Sequence, residues 1–206
     1  MFDLLFQQYS DYQTLDISLE IIAVVFGILS VWFSKKNNIL VYPTGMISTS
    51  IFTYLLFKWS LLGDMMINAY YFMMSIYGWY IWTRKVNNIV TPISKVSLPE
   101  KITSLIIFFF SLSFVYGIYN YFDKWGSYTS YIDNFTTAIF FVAMWLMANR
   151  KIENWIFWII GNIISIPLYF YKGLTFTSIQ YIIFTVIAIS GYYTWKKILD
   201  NSNQTA

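Results

Sequence analysis

Between Arg150 and Lys172 the chain reads RKIENWIFWIIGNIISIPLYFYK, with Glu153 the one charge between its basic ends. About twenty residues of that polarity cross the hydrocarbon core of a bilayer as a helix. A plain anchor would keep polar side chains out of its middle. Here Trp155, Trp158, Asn162, Ser165 and Tyr169 fall at roughly 0, −60, −20, −80 and −40° on the 3.6-residue period. Ile156, Ile159, Ile160 and Ile163 take the opposite face. Polar groups facing lipid are costly, so this stripe reads as one wall of a polar, aromatic cavity inside a helix bundle.

The rest of the chain is built in the same way. It has 206 residues, 58% of them hydrophobic and only 11% charged. A water-soluble domain of this size carries about 25% charged residues, so most of the surface must face lipid. Cysteine and histidine are both absent, which removes disulfides, thiolate nucleophiles, the commonest metal ligand and the commonest general base. No cofactor or metal site is expected, and the +3 net charge gives no reason to expect nucleic acid. No cleavable signal peptide is expected, because no Lys or Arg precedes the first apolar run.

Seven apolar spans are predicted at about 17–34, 39–58, 61–83, 101–122, 131–149, 152–171 and 174–195. The class is therefore an all-α integral membrane protein. Residues 1–16 read as a non-cytoplasmic segment, 17–200 as one transmembrane domain and 201–206 as a cytoplasmic tail. With the N-terminus outside, Lys35, Lys36, Arg84, Lys85, Lys95, Lys101, Arg150, Lys151, Lys196 and Lys197 lie on the cytoplasmic side. Only Lys58, Lys124 and Lys172 then lie outside, as the positive-inside rule requires.

The chain also repeats. Gly78-Trp79-Tyr80-Ile81-Trp82-Thr83-Arg84 recurs 113 residues later as Gly191-Tyr192-Tyr193-Thr194-Trp195-Lys196-Lys197, and the same offset sets Trp32 on Trp145. We read a duplicated three-helix unit, 17–85 and 131–197, joined by a linker helix at 101–122. The added crossing makes the two units parallel. Independent aromatic capping of two helix ends is the plainer alternative.

On span 3, Asp64, Asn68, Tyr71, Ser75, Trp79 and Trp82 share an arc of roughly 80°. Flat rings beside amides and hydroxyls suit a flat, cationic heteroaromatic ring and a sugar or carboxamide. Trp32, Trp82 and Trp195 read instead as interfacial anchors. Asp133 is placed as the N-cap of span 5, and Thr136 either reaches the cavity or bonds its own backbone. Glu153 is read as complementing the dipole of span 6, and Pro167 as a kink in it. No paired carboxylates or phosphate-binding glycine loop appear, so an enzyme is not expected. Asp64 and Asp133 lie near span ends, which argues against ion coupling. A seven-helix small-molecule sensor is the reading of another class, and the short loops argue against it.

The residues Tyr77-Gly78-Trp79-Tyr80-Ile81-Trp82, Asp133 with Thr136-Thr137-Ala138, and Arg150-Lys151-Ile152-Glu153-Asn154-Trp155-Ile156-Phe157-Trp158 are more selective. So are Asn162, Leu168-Tyr169 and Lys172-Gly173-Leu174. With these motifs the chain resembles, from Leu19 to Lys197, the PnuC family of bacterial vitamin transporters, carriers of nicotinamide riboside. The resemblance implies a 3+1+3, SWEET-like fold in the bacterial inner membrane. It implies facilitated diffusion of an unphosphorylated vitamin and trapping by a cytoplasmic kinase. It makes Trp155 and Trp158 the family's W-x-x-W motif, with Asn162 as the nearby amide. Ser75 and Asn68 stand where relatives often have Asn and Gln, which leaves thiamine or riboflavin as alternatives to nicotinamide riboside. The expected substrate site is Trp155, Trp158, Asn162, Asn68, Ser75, Trp79, Thr136 and Tyr169. A homo-oligomer is compatible with the sequence.

Overall fold

A computed structural model describes residues 14–58, 62–86, 89–123, 125–126, 128–171 and 175–204. Seven helices appear among the described residues. They are α1 (Thr14–Lys35), α2 (Val41–Lys58), α3 (Leu62–Thr83), α4 (Leu98–Tyr121), α5 (Tyr128–Ala148), α6 (Asn154–Tyr171) and α7 (Thr175–Gln204). By length and composition, α1, α4, α5 and α6 are apolar enough to cross a membrane. Two short strands, β1 (Lys85–Val86) and β2 (Ile89–Val90), pair antiparallel in the linker before α4. The N-terminal residues 1–13 of the segment expected outside the membrane, Lys124 and Lys172 lie outside the described residues.

The helices pack in a closed order. α1 lies on α2, α2 on α3, α3 on α5, α5 on α6, α6 on α7 and α7 back on α1. α4 stands outside this ring and leans chiefly on α5. Its outer face, with Phe109 61% and Phe110 68% exposed, carries no polar cost in a bilayer. α5, flanked by α3, α4 and α6, is buried along most of its length.

Two turns set the geometry. After α1, Asn37 takes φ 51°. Its amide donates to the Ser34 carbonyl (2.9 Å) and that of Asn38 to the Phe33 carbonyl (2.9 Å). This is a Schellman stop, which needs one left-handed residue. After α5, Arg150 takes φ 53°, and the amides of Arg150 and Lys151 donate to the carbonyls of Met147 (3.0 Å) and Leu146 (2.9 Å). Asparagine adopts this conformation readily; arginine does so at a cost of about 1–2 kcal/mol. The cost is offset by what the side chain reaches. The Arg150 guanidinium lies 4.2 Å from the Trp82 ring centroid and donates to the Thr91 carbonyl. Burial lowers its pKa below the ordinary arginine value, and the nearby Tyr42 phenol partly opposes that.

The linker is pinned to this second turn. Ser94 accepts from the Ile152 amide (3.0 Å) and donates to the Arg150 carbonyl (3.1 Å), and Lys151 forms an ion pair with Glu100 at 2.8 Å. Glu153 does not sit in the first turn of α6 as expected. It immediately precedes the helix, still at its N-terminal end, and its Oε2 also accepts from the Val96 amide at 3.0 Å, which holds the linker. Asp133 is not an N-cap either, because α5 begins five residues earlier, at Tyr128. At the opposite end of the bundle Asp16, 3% exposed, takes a two-pronged bond from Lys58 (2.9 and 2.7 Å).

The largest correction concerns two tryptophans. Trp82 and Trp195 are 2% and 0% exposed and lie in the core, not at an interface. Trp82 Nε1 donates to the Met147 carbonyl at 3.3 Å, and Trp195 Nε1 to the Ser34 carbonyl at 2.9 Å. Each crosses to a helix of the other half of the chain. An indole has one donor and an otherwise apolar body, so burying it is favourable once that donor is met. Trp32, 41% exposed and flanked by the ammonium groups of Lys35 and Lys36, does occupy the surface.

Tyr42 meets Trp82 edge-on (5.1 Å, 88°) and Trp155 meets Trp195 edge-on (5.6 Å, 89°). Glycines allow both approaches. A Cβ on Gly78 would lie 2.3 Å from the Tyr42 ring, and one on Gly191 would lie 2.7 Å from Trp155. Gly78→Ala and Gly191→Ala should each destabilise the fold by about 1–3 kcal/mol through overpacking. Gly117→Ala, which meets nothing within 4 Å, should not. Thermal unfolding in detergent checks this; equal melting of all three variants would refute the packing described.

Candidate functional site

A cavity of ≈ 290 Å³ lies inside the ring, lined by α1, α2, α3, α5, α6 and α7 and by no residue of α4. Its size is at the low end of the roughly 300–1,000 Å³ of small-molecule sites. At one end it is closed by Tyr42, Met147 and Trp155, backed by Trp82 and Trp195. Among the described residues the lining holds no Lys, Arg, Asp or Glu, and no three carboxylates come together anywhere.

The α5–α7 wall is aromatic. Trp158 stacks on Phe140 (5.4 Å, 28°), Phe140 on Tyr181 (6.1 Å, 8°) and Tyr181 on Tyr169 (5.2 Å, 20°). Phe140 lies flat against α6 because residue 161 is glycine; a Cβ there would sit 2.3 Å from the ring. The α1–α3 wall carries Tyr42, Phe52 and Tyr71 and is otherwise small and hydroxylated. Ser30 donates to the Val41 carbonyl (2.7 Å), Ser48 to that of Ala23 (2.7 Å), Thr49 to that of Gly45 (2.8 Å) and Ser75 to that of Tyr71 (2.9 Å). Gly27 and Gly45 complete it, and the amides of Asn68, Asn162 and Gln180 lie on the same lining.

The structure brings together five of the eight residues expected from sequence: Trp155, Trp158, Asn162, Asn68 and Ser75 all line this cavity. The other three lie elsewhere. Trp79 is 42% exposed: it stands at the edge of its stripe, roughly 60° from the buried Trp82 on the helical period. Thr136 is buried but donates to the carbonyls of Ile132 and Asp133 (both 3.1 Å). Tyr169 stands behind Tyr181 and does not line the cavity. The cavity also holds Tyr42, Phe140, Gln180 and Tyr181, and the Ser30–Ser48 wall, which the helical stripes did not single out. The 113-residue offset would have found two of them, Tyr42 and Tyr181. Applied to the five residues that converge, it returns Tyr42, Gly45, Thr49, Tyr181 and Ala188, and every one lines the cavity.

The family model described as nicotinamide mononucleotide transporter matches residues 17–197. The nicotinamide riboside transporter PnuC of Escherichia coli (strain K12) is 24% identical over 201 residues, covering 86% of this chain and 84% of the relative. The riboflavin/roseoflavin transporter RibM of Streptomyces davaonensis is 22% identical over 186 residues, covering 85% and 83%. Among solved structures, the crystal structure of the vitamin B3 transporter PnuC superposes with a TM-score of 0.67 at 25% identity, covering 91% of this chain and 84% of that one.

The burial of Trp195 reverses an expectation. As an interfacial anchor it would tolerate removal. As the indole behind the closed end of the cavity, Trp195→Ala should cost about 3–5 kcal/mol of stability. Chemical or thermal unfolding measures this, and a variant as stable as the parent would contradict its place in the core.

Proposed function

The chain belongs to the nicotinamide mononucleotide transporter family, and within it we propose that it carries unphosphorylated nicotinamide riboside across the bacterial inner membrane by facilitated diffusion. One observation carries the reading: a stacked aromatic wall faces an uncharged wall of hydroxyls and amides across a cavity closed at one end. A pyridinium ring gains from both stacking and cation–π attraction on such a wall, and the latter reaches about 2 kcal/mol when desolvated. The carboxamide and ribose match neutral amides and hydroxyls.

The lining also argues against the mononucleotide. A phosphate monoester carries about −1.5 to −2 charge at neutral pH. Buried among residues without a cation, it would be uncompensated, at a cost of several kcal/mol. The lack of a carboxylate in the described lining likewise supports uncoupled movement down a gradient. A cytoplasmic kinase that phosphorylates the riboside would then trap it. Riboflavin is the second reading, favoured by the likeness to RibM, but its three-ring system demands more room than one pyridinium. Thiamine, also cationic, stands behind it.

Alternating access follows from the repeat. The units α1–α3 and α5–α7 form the two halves, with α4 as linker in a 3+1+3, SWEET-like arrangement. The equal offset of the two Schellman turns supports this, as do the paired edge-on contacts Tyr42–Trp82 and Trp155–Trp195. So does the meeting of equivalent residues: Ser34 Oγ lies 3.2 Å from Met147 Sδ, and Trp82 lies 5.9 Å from Trp195. Rocking of one half against the other about that line would open either end. With the N-terminus outside, the end closed by Trp82 is cytoplasmic. A reporter fused after residue 90 should then lie in the cytoplasm; a periplasmic signal would invert the topology.

Calorimetric titration of the purified chain tests the substrate. Trp158→Ala and Asn162→Ala should each weaken nicotinamide riboside binding by roughly ten- to hundredfold, and nicotinamide mononucleotide should not compete. Competition by the mononucleotide at equal strength, or parental affinity in both variants, would overturn the proposal.

A further inference from the structure

The two walls of the cavity occupy equivalent positions in the two halves, and they differ in one direction. At the 113-residue offset, Phe140, Trp158 and Tyr181 of the aromatic wall correspond to Gly27, Gly45 and Asn68. At these three positions rings stand on one side and two glycines and an amide on the other, whereas Tyr42 and Trp155, and Tyr71 and Phe184, are rings in both halves. The geometry points to the α1–α3 wall, Ser30, Ser48 and Ser75 around Gly27 and Gly45, as a subsite that selects the hydroxyl-bearing part of the ligand. This rests on the reading of the cavity as the substrate site.

The chemistry of the wall comes from where its protons go. A hydroxyl has one proton and two lone pairs. The protons of Ser30, Ser48 and Ser75 are engaged by the carbonyls of Val41, Ala23 and Tyr71 at 2.7, 2.7 and 2.9 Å. What each oxygen has left is acceptor capacity. Such a wall rewards a ligand that brings O–H or N–H donors, and repels one that brings anionic oxygens.

The glycines lie close against these oxygens, where a side chain would crowd them. A Cβ on Gly45 would lie 3.0 Å from Ser30 Oγ and 3.5 Å from Ser75 Oγ, and one on Gly27 would lie 3.1 Å from Ser48 Oγ. At the closed end Tyr42 and Trp155 are packed against Gly78 and Gly191, and their polar atoms do not open onto the cavity. The ligand that fits the wall is one that donates to the serine oxygens, as a hydroxylated sugar does.

The test compares ligands with and without hydroxyls on the full chain in detergent. Nicotinamide riboside is set against nicotinamide, and riboflavin against lumiflavin, which keeps the flavin ring and loses the ribityl chain. The parent should prefer the hydroxylated member of whichever pair it binds. Ser30→Ala, Ser48→Ala and Gly45→Ala should each weaken that member by about five- to tenfold and change the hydroxyl-free member by less than about twofold. The serine variants add no volume, so they decide the matter where Gly45→Ala disturbs packing. Equal losses for both members, unchanged affinity for both, or a parent without preference for hydroxyls would overturn the subsite. Preference confined to the flavin pair, with the serine effect intact, would uphold the subsite and refute nicotinamide riboside as the substrate.

Discussion

The two halves of this chain are held together by a pair of indole hydrogen bonds that cross between them. Trp82, at the end of α3, donates to the end of α5, and Trp195, on α7, donates to the end of α1. In a bilayer there is little hydrophobic drive between helices. Closing a ring of helices therefore depends on shape and on hydrogen bonds between helices. The Ser34 and Met147 carbonyls already accept the turn amides of Asn37 and Arg150, and the two indoles take the second lone pair of each. The same contacts bring Arg150 over Trp82, which lets a non-glycine residue hold a left-handed turn and gives the linker its anchor.

Once the ring is closed, its interior is a cavity lined by α1–α3 and by α5–α7. Two similar halves would give a similar pair of walls. Here, where one side has Phe140, Trp158 and Tyr181, the other has Gly27, Gly45 and Asn68. The proposed repeat would suit a motion that exposes each end in turn. An asymmetric lining suits a ligand that is itself two-sided, with a flat ring on one side and hydroxyls on the other. The absence of formal charge among the described lining residues fits a substrate taken before phosphorylation.

The helices were legible from the sequence because lipid forces long apolar segments to satisfy their own backbones. The polar stripe of α6 was legible for the same reason: Trp155, Trp158 and Asn162 have no cheap place but an interior. What failed was information held between helices. Trp82 and Trp195 look like interfacial residues, since tryptophan near a helix end usually is one, and only ring closure buries them. Trp79 shares a stripe with Ser75, yet Tyr42 packs on Gly78 and Trp82 fills the interior, so Trp79 faces outward. Glycine and serine on α1 and α2 add almost nothing to a hydrophobic pattern, and Ser30, Ser48 and Gly45 were invisible one helix at a time. Only the repeat, read as an offset from residues already identified, pointed to that wall.

A structure of the chain determined with nicotinamide riboside tests the central claim most directly. The account predicts the ligand inside the ring, its pyridinium over Phe140 and Trp158 and its ribose toward Ser30 and Ser75. A ligand bound outside the ring, or turned with its ribose against the aromatic wall, would contradict it.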